Sequence, residues 1–159
     1  MTGASDATWA SQSGKSIATC AFFYNHACLY AGIKCIPSVQ LNSNQAEKWS
    51  EASAQATGIW LANMLVEMGE PRIMPVRMRC DNSIAVAQSQ GVVMSKDSKH
   101  YLRRIAFTED NEAAGLFQTE HVSTDQMIAD FIGKWVPIKK YITSRAHMLN
   151  LVALVPHVA

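Results

Sequence analysis

Three strand-like runs followed by one long helix-like run constrain the fold of this chain more than any other feature. Residues 4–10, 16–24 and 27–35 are short runs rich in apolar, aromatic and β-branched residues, separated by turn-forming residues. From residue 44 to 68 the period changes, and apolar residues recur at steps of three and four. A meander that gives way to a helix of this length predicts a sheet with helices packed on it.

The second half of the chain alternates between the two patterns. The predicted strands are 74–80 and 115–122, and the predicted helices are 82–90, 98–114, 124–134 and 137 to about 154. This order predicts an α/β fold with a mixed five-stranded sheet: three antiparallel strands come first, alternating helices and strands follow, and helices cover both faces. Residues 1–136 are predicted to form one domain, and residues 137–159 a C-terminal helix and tail packed on it.

Composition excludes several classes of protein. The 159 residues are 48% hydrophobic and 17% charged, which is typical of a globular domain and not of a disordered chain. The formal net charge of +1 excludes a global basic field, so any contact with nucleic acid needs local clusters. The four cysteines form no CxxC pair and are predicted to be reduced thiols. No signal peptide and no membrane-spanning run is seen, so the chain is expected not to be secreted and to have no membrane partner.

Four acidic residues occupy informative places, although each has an ordinary structural explanation. Asp6 could be an exposed turn residue, and Glu47 could favour the dipole of the long helix. Asp81 could cap the helix after the fourth strand, and Asp130 could lie on a solvated helix face. Taken one at a time, these acids predict no chemistry.

Together the four acids predict a metal site. Asp130 is surrounded by apolar residues, and a carboxylate is costly to bury without a partner. If the first and fourth strands are neighbours, Asp6 and Asp81 approach each other, and two helices bring in Glu47 and Asp130. Four carboxylates in one place repel each other unless cations neutralise them, and oxygen ligands favour Mg²⁺ or Mn²⁺. Two-metal phosphoryl transfer is the chemistry that uses such a cluster.

Five short motifs occur in an order that resembles the ribonuclease H domain of copia-type LTR retrotransposon polyproteins. The resemblance covers nearly the whole chain. The motifs are G-x-S-D-A-x-W-A at 3–10, L-x-S-x-x-A-E at 41–47, C-D-N-x-x-A at 80–85, S-K-H at 98–100, and V-x-T-x-x-x-I-A-D at 122–130 followed by Gly133-Lys134. Thr8, Lys48 and Gly133 depart from the family pattern, but they remove none of the four acids.

The resemblance implies a ribonuclease H-like fold and an endonuclease that hydrolyses the RNA strand of RNA–DNA hybrids during reverse transcription. Asp6, Glu47, Asp81 and Asp130 would hold two Mg²⁺ or Mn²⁺ ions. His121 would assist proton transfer or product release, although a histidine at a strand edge is the alternative. Only five residues precede Asp6, so the first strand is expected to be short and Asp6 weakly anchored.

Candidate substrate contacts lie beside the acids. Ser43 and Asn44 precede Glu47, and Asn82 follows Asp81, so these short polar groups suit contacts with the hybrid backbone; helix capping is the alternative for the first two. The basic cluster after residue 95 is the best local surface for phosphates, with a solvated helix face as its alternative. From this cluster, the predicted substrate contacts are Lys99, Arg103 and Arg104. A weaker patch contains Lys134, Lys139 and Lys140.

Two other functions remain open from sequence. One is a catalytically inactive or repurposed module of the same fold that binds nucleic acid or protein; the other is a different two-metal nuclease or an integrase. The expected partners are the RNA–DNA hybrid and the reverse transcriptase part of the same polyprotein. The expected location is the cytoplasm or nucleus, in the virus-like particle of a retroelement. The four tryptophans are expected to be core residues and not base-stacking platforms.

Overall fold

The first three strands form the antiparallel meander that their sequences predict. In the computed structural model, which describes residues 1–10, 14–92 and 101–151, β1 spans Thr2–Thr8, β2 spans Ile17–Tyr24 and β3 spans Ala27–Cys35. β1 pairs with β2 along its whole length, with Asp6 opposite Thr19. The prediction of a short, weakly anchored first strand is therefore wrong, because β1 has seven residues and holds Asp6 fully buried in its second half.

The long helix-like run forms a single helix, α1, which spans Ser43–Glu67. The side chain of Asn42 caps it by accepting a hydrogen bond from the backbone N–H of Gln45 at 2.9 Å. Gly69 follows the C-terminal cap with a φ of +91°, a conformation that glycine adopts without steric cost. The buried face of α1 packs on the sheet, and the main core cluster contains Phe22, Ala54, Leu61, Val76, Met78 and Phe117.

The second half of the chain adds two parallel strands. β4 spans Val76–Cys80 and pairs in parallel with β1, and β5 spans Phe117–His121 and pairs in parallel with β4. The sheet order is β3-β2-β1-β4-β5, so β1 is central. Two helices connect these strands, α2 at Ser83–Ser89 and α3 at Leu102–Ala113. The predicted α/β fold with a mixed five-stranded sheet is confirmed.

The segment after β5 differs from its prediction. Instead of one helix over 124–134, a 3-10 turn spans Thr124–Gln126 and a short helix, α4, spans Asp130–Gly133. Met127 between them is extended, with φ −75° and ψ 103°, and it is buried. Burial of Met127 and Ala129 against Ala4 of β1 interrupts the helix and places Asp130 at the start of α4.

The last helix, α5, spans Ile138–Met148 and is shorter than predicted. It ends at Leu149, and Asn150 then has a φ of +55°, a left-handed conformation that turns the chain out of the helix. Residues 152–154 of the predicted helix lie outside the described residues.

The two faces of β1 meet different elements. Ala7 packs with Ala46 and Trp49 of α1, whereas Ala4 packs with Met127 and Ala129 on the opposite face. Over β4 and β5 that second face carries exposed polar side chains, Arg77, Arg79, Gln118 and Glu120. None of the helices in the described ranges is long and apolar enough to cross a membrane.

Only one of the four tryptophans belongs to the core. Trp49 is buried, but Trp9 is 47% exposed, Trp60 57% and Trp135 fully exposed at 104%. The expectation that all four are core residues is therefore wrong for three of them.

Candidate metal centre

Three of the predicted acids meet at one edge of the sheet. Asp6, Asp81 and Asp130 each offer a carboxylate oxygen, and these oxygens lie within 4.8 Å of one another. The parallel pairing of β1 and β4 brings the C-terminal ends of these strands together, where Asp6 and Asp81 lie. In open sheets this edge is where ligands are most often bound. Asp6 and Asp130 are buried, and Asp81 is half-buried.

Asp81 does not cap the helix that follows it. Asn82 caps α2 instead, because its side-chain oxygen accepts a hydrogen bond from the backbone N–H of Ala85 at 2.9 Å. The carboxylate of Asp81 lies beside Thr124, whose hydroxyl donates to it at 3.2 Å. The capping explanation therefore applies to Asn82, and Asp81 remains available to the cluster.

Glu47 lies close to this cluster but outside the group of three. It stands in the second turn of α1, is 8% exposed, and has one buried carboxylate oxygen, Oε2, without a hydrogen-bond partner among the described residues. Burial raises the pKa of Glu47 to about 9, and the negative charges of Asp6 and Asp81 add to this effect. Lys134 opposes this rise but does not cancel it, so Glu47 holds its proton at neutral pH in the absence of a metal ion.

Two lysines neutralise the cluster. The ammonium group of Lys134 lies 2.8 Å from Asp6 Oδ2 and 2.9 Å from Asp130 Oδ1, and Lys140 contacts the other oxygen of Asp130. Burial alone would lower the pKa of Lys134, but its bonds with Asp6 and Asp130 outweigh this and raise it. Sequence reasoning placed both lysines in a peripheral patch and missed this role. The i,i+4 spacing of Asp130 and Lys134 was the available signal.

The pKa values of the paired acids move in opposite directions. Burial raises the pKa of Asp6 to about 7, against the lowering effect of Lys134. Burial also acts to raise the pKa of Asp130, but hydrogen bonds from Lys140 and Lys134 outweigh it and lower the value. Asp130 is thus held as a carboxylate, while Asp6 titrates near neutrality.

Close packing of α4 on β2 positions Asp130 and Lys134. A Cβ atom on Gly133 would lie 2.6 Å from Cγ2 of Thr19, so only glycine permits this approach. The hydroxyl of Thr19 lies 3.2 Å from the backbone oxygens of Ala129 and Asp6. Gly133, a departure from the family pattern, is therefore explained by the contact that brings α4 to the centre of the sheet.

The donor set fits a hard divalent cation. The four acids offer only carboxylate oxygens, the ligand type that Mg²⁺ and Mn²⁺ prefer. Asp6 and Asp130 already hold two ammonium groups, and Oε2 of Glu47 has no hydrogen-bond partner among the described residues. Such a site attracts cations.

A second buried lysine and carboxylate pair lies deeper in the protein. Lys48 Nζ donates to Glu51 Oε2 at 3.0 Å and to the backbone oxygen of Ala85 at 3.1 Å. Ser89 receives a hydrogen bond from Lys48 and donates one to Glu51. Since Glu51 is committed to this network, the structure offers Glu47, and not Glu51, to the acid cluster.

The predicted substrate contacts are spread around the cluster. Ser43 is exposed, and Asn44 has a buried side-chain oxygen without a described partner. Neither caps α1, since Asn42 does so. His121 ends β5, and its Nε2 lies 3.1 Å from the backbone oxygen of Asp81.

The basic surface is only partly described. Arg103 is exposed, and Arg104 lies over the ring of Trp49, 5.4 Å from its centroid. Lys34 approaches the same ring at 5.5 Å, so two cations from β3 and α3 meet at one indole. Lys99 lies outside the described residues.

Solved structures with the same arrangement of strands and helices identify the fold. RNase H1 isolated from compost, LC11-RNase H1, superposes with a TM-score of 0.61 at 20% identity, covering 81% of this chain and 89% of that one. The chain has the ribonuclease H fold. RNase H1 from Halobacterium salinarum matches it with a TM-score of 0.58 at 15% identity, covering 80% and 89% of the two chains.

Sequence comparison shows similarity to retrotransposon proteins. The retrovirus-related Pol polyproteins of transposons RE1 and RE2 from Arabidopsis thaliana are each 26% identical to this chain over 132 residues, or 82% of it. The chain spans 9% of the length of these relatives. No protein-family model matches the chain. The resemblance to the ribonuclease H domain of a retrotransposon polyprotein is thus confirmed.

Proposed function

We propose that this ribonuclease H fold is an endonuclease that hydrolyses the RNA strand of RNA–DNA hybrids with two bound Mg²⁺ or Mn²⁺ ions. The observation that carries the proposal is the convergence of Asp6, Asp81 and Asp130 at the end of β1 and β4, with Glu47 close by. The compost RNase H1 supports the substrate, since it has been solved in complex with an RNA/DNA hybrid.

Each acid has a distinct part in the proposed reaction. Asp6, Asp81, Glu47 and Asp130 would hold the ions, with Asp81 and Glu47 on the side of the leaving oxygen and Asp130 on the side of the attacking water. The ions, when bound, activate water and stabilise the charge on the leaving oxygen. The backbone of the central ligand is held in place, because Ser50 donates a hydrogen bond to the carbonyl oxygen of Asp6 at 2.7 Å.

Polar groups around the cluster would bind the hybrid backbone. Ser43, Asn44 and Asn82 offer hydrogen bonds to riboses and phosphates, and Arg103 and Arg104 offer charges. Lys99 has the same proposed role. His121, at the end of β5, stands where it can exchange a proton near Asp81.

A catalytically inactive binding module is the second candidate function. It is favoured by the ion pairs that Lys134 and Lys140 form with Asp6 and Asp130, since these supply positive charge to both acids without a metal ion. If these contacts persist in the presence of Mg²⁺, the fold can still bind nucleic acid but does not cut it.

One assay separates the two candidates. A labelled RNA–DNA hybrid is incubated with the protein in Mg²⁺ or Mn²⁺, beside Asp81→Asn and the matched control Asp110→Asn on an exposed face of α3. We expect fragments with 3′-hydroxyl and 5′-phosphate ends, and a loss of at least about 100-fold in Asp81→Asn alone. Equal cleavage by all three proteins would refute the assigned site. No cleavage by any of them would favour the binding module.

The proposed partner within the retroelement is the reverse transcriptase part of the same polyprotein, because the chain spans only 9% of the length of the similar Pol polyproteins. That neighbour would supply further contacts with the hybrid. The proposed location is a virus-like particle in the cytoplasm or nucleus.

A further inference from the structure

An exposed tryptophan follows directly after the lysine that bridges the acids. The side chain of Trp135 is fully exposed, at 104%. A large aromatic surface left in water is unfavourable, and an aromatic side chain of this kind is the usual anchor of a binding surface. Trp135 lines two grooves at once, so it forms the ridge between them.

The first groove, here the aromatic groove, has a volume of about 950 Å³. Its aromatic residues are Trp9, Phe131, Trp135 and Tyr141, and Phe131 meets Tyr141 edge to face with ring centroids 5.9 Å apart. Lys134 contributes a cation, and no acidic residue lines this groove within the described part of the chain. The groove therefore offers flat apolar surfaces without an acidic lining residue, and the charge of Lys134 is shared with Asp6 and Asp130.

The second groove lies on the other side of Trp135 and has a volume of about 1070 Å³. Its charged lining is mixed, because Arg79 pairs with Glu120 and Lys140 with Asp130. Lys139 is exposed and forms no ion pair with a described residue. A polyanion that reaches Trp135 thus finds an available charge on α5.

The aromatic groove adjoins the acid cluster through Lys134, whereas Asp130 itself lines the second groove. Its wall includes residues 8–10 at the end of β1, and Asp6 precedes them on the same strand. Lys134 lines the groove and bonds to Asp6 and Asp130. A strand that leaves the acids in this direction passes over Trp9 and Trp135.

We propose that the aromatic groove binds unpaired nucleotides next to the hybrid, with a base stacked on Trp135 and a phosphate held by Lys139. Every base has a face that stacks on an aromatic ring, and cations beside such rings are the signature of single-strand binding. Paired bases are already stacked on their neighbours, so the site takes unpaired ones. Lys139, an exposed cation that lines the second groove together with Trp135, favours a polyanion over an apolar protein segment. The path of the nucleic-acid strand from the acids to the groove rests on the proposed nuclease function.

Binding without cleavage tests this proposal. Fluorescence anisotropy in EDTA compares a blunt RNA–DNA hybrid with the same hybrid carrying a short single-stranded extension, placed in turn on each end of each strand. For the extension that enters the groove, we expect about tenfold tighter binding, as one stacked base provides. Trp135→Ala removes this gain and Trp135→Tyr restores part of it. Trp60→Ala, a matched loss of an exposed indole on α1, leaves the gain unchanged.

The outcomes separate this proposal from the proposed nuclease function. Cleavage of blunt hybrid by the wild type, with no extension improving binding, overturns the stacking site and leaves the nuclease intact. A gain that survives Trp135→Ala also overturns it. A gain that is lost in Trp135→Ala supports the site even if the protein cuts nothing. Because Trp135 is fully exposed, Trp135→Ala is expected to fold, and its melting temperature provides the check.

Discussion

Two lysine and carboxylate clusters lie in this protein, one closed and one open. In the closed cluster, the side chains of Lys48 and Glu51 are both 0% exposed, and Ser89 satisfies both. In the open cluster, Lys134 is 31% exposed and bridges Asp6 and Asp130. The same two kinds of group therefore meet in two different settings.

The two clusters differ in whether all of their charged groups have hydrogen-bond or ion-pair partners. Each charged group of the closed cluster has described partners, and the cluster joins α1 to α2. The open cluster contains more acids than lysines and lies beside Glu47, which keeps an unpartnered oxygen. Closed charge networks specify structure, whereas incomplete ones at a sheet edge indicate binding or catalysis.

Breaking the closed cluster gives the largest predicted effect. Lys48→Met leaves Glu51 as an uncompensated buried charge, and we expect a loss of about 3–5 kcal/mol in the free energy of unfolding. Urea denaturation measures this. The double variant Lys48→Met, Glu51→Leu removes both charges and is expected to recover most of the loss. A single variant as stable as the wild type would show that the cluster is not closed.

The pH dependence of stability sharpens the comparison. The pKa of Glu47 is raised from its ordinary value of 4.5 to about 9, so the folded state holds a proton that the unfolded state loses. Without metal, Glu47 should therefore make stability fall between about pH 5 and pH 9, and it contributes a slope of up to about 1.4 kcal/mol per pH unit. Asp6, whose pKa is raised to about 7, adds to the fall below that pH. Glu47→Gln should remove the part of the slope that Glu47 contributes, most clearly above the pKa of Asp6, as urea denaturation at several pH values would show. An unchanged slope would mean that Glu47 ionises freely in the fold.

Removing the lysine from the open cluster is predicted to have a smaller effect, which is on the affinity for a metal ion. Lys134→Met removes a cation that competes with a metal ion for Asp6 and Asp130, a contribution of about 1 kcal/mol for a partly exposed pair. We expect Mn²⁺ to bind about fivefold more tightly, measured by isothermal titration calorimetry. Lys139→Met, which removes a charge from the same region without touching the acids, is the control. Weaker binding in Lys134→Met would mean that Lys134 supports the metal site.

The smallest predicted effect on the free energy of unfolding comes from breaking an exposed ion pair. Arg79 and Glu120 lie 3.0 Å apart on neighbouring strands, but their side chains are 45% and 47% exposed. Glu120→Gln should change the free energy of unfolding by less than about 1 kcal/mol, and the residual effect should disappear in high salt. A loss comparable to that of Lys48→Met would contradict the ranking by burial.

Local patterns made much of the fold predictable. The alternation of strand-like and helix-like runs predicted all five strands and the long helix within a few residues, because these elements depend on local periodicity. The failure at 124–134 has a tertiary cause. Met127 and Ala129 are apolar residues at positions that suit a helix, but they are buried against Ala4, and the chain is extended at Met127.

The candidate site was predictable in its acids and not in its cations. The sequence singled out Asp6, Glu47, Asp81 and Asp130 through their positions at strand ends and in short motifs. The bond between Lys134 and Asp6 joins residues 128 positions apart, and no local pattern encodes it. The exposure of Trp135 was equally hidden, since an apolar residue two positions before a proline is compatible with core and surface alike.

The sequence by itself determined the order of the elements, the sheet that they form and the acids available for chemistry, because these follow from periodicity and residue type. The tertiary structure alone decided which charges are closed off and which remain open. That choice depends on the parallel pairing of β1 with β4 and on the approach of α4 at Gly133, which set the distances between groups far apart in the chain. Electrostatic energy depends on those distances and on burial, and a short stretch of sequence determines neither of them.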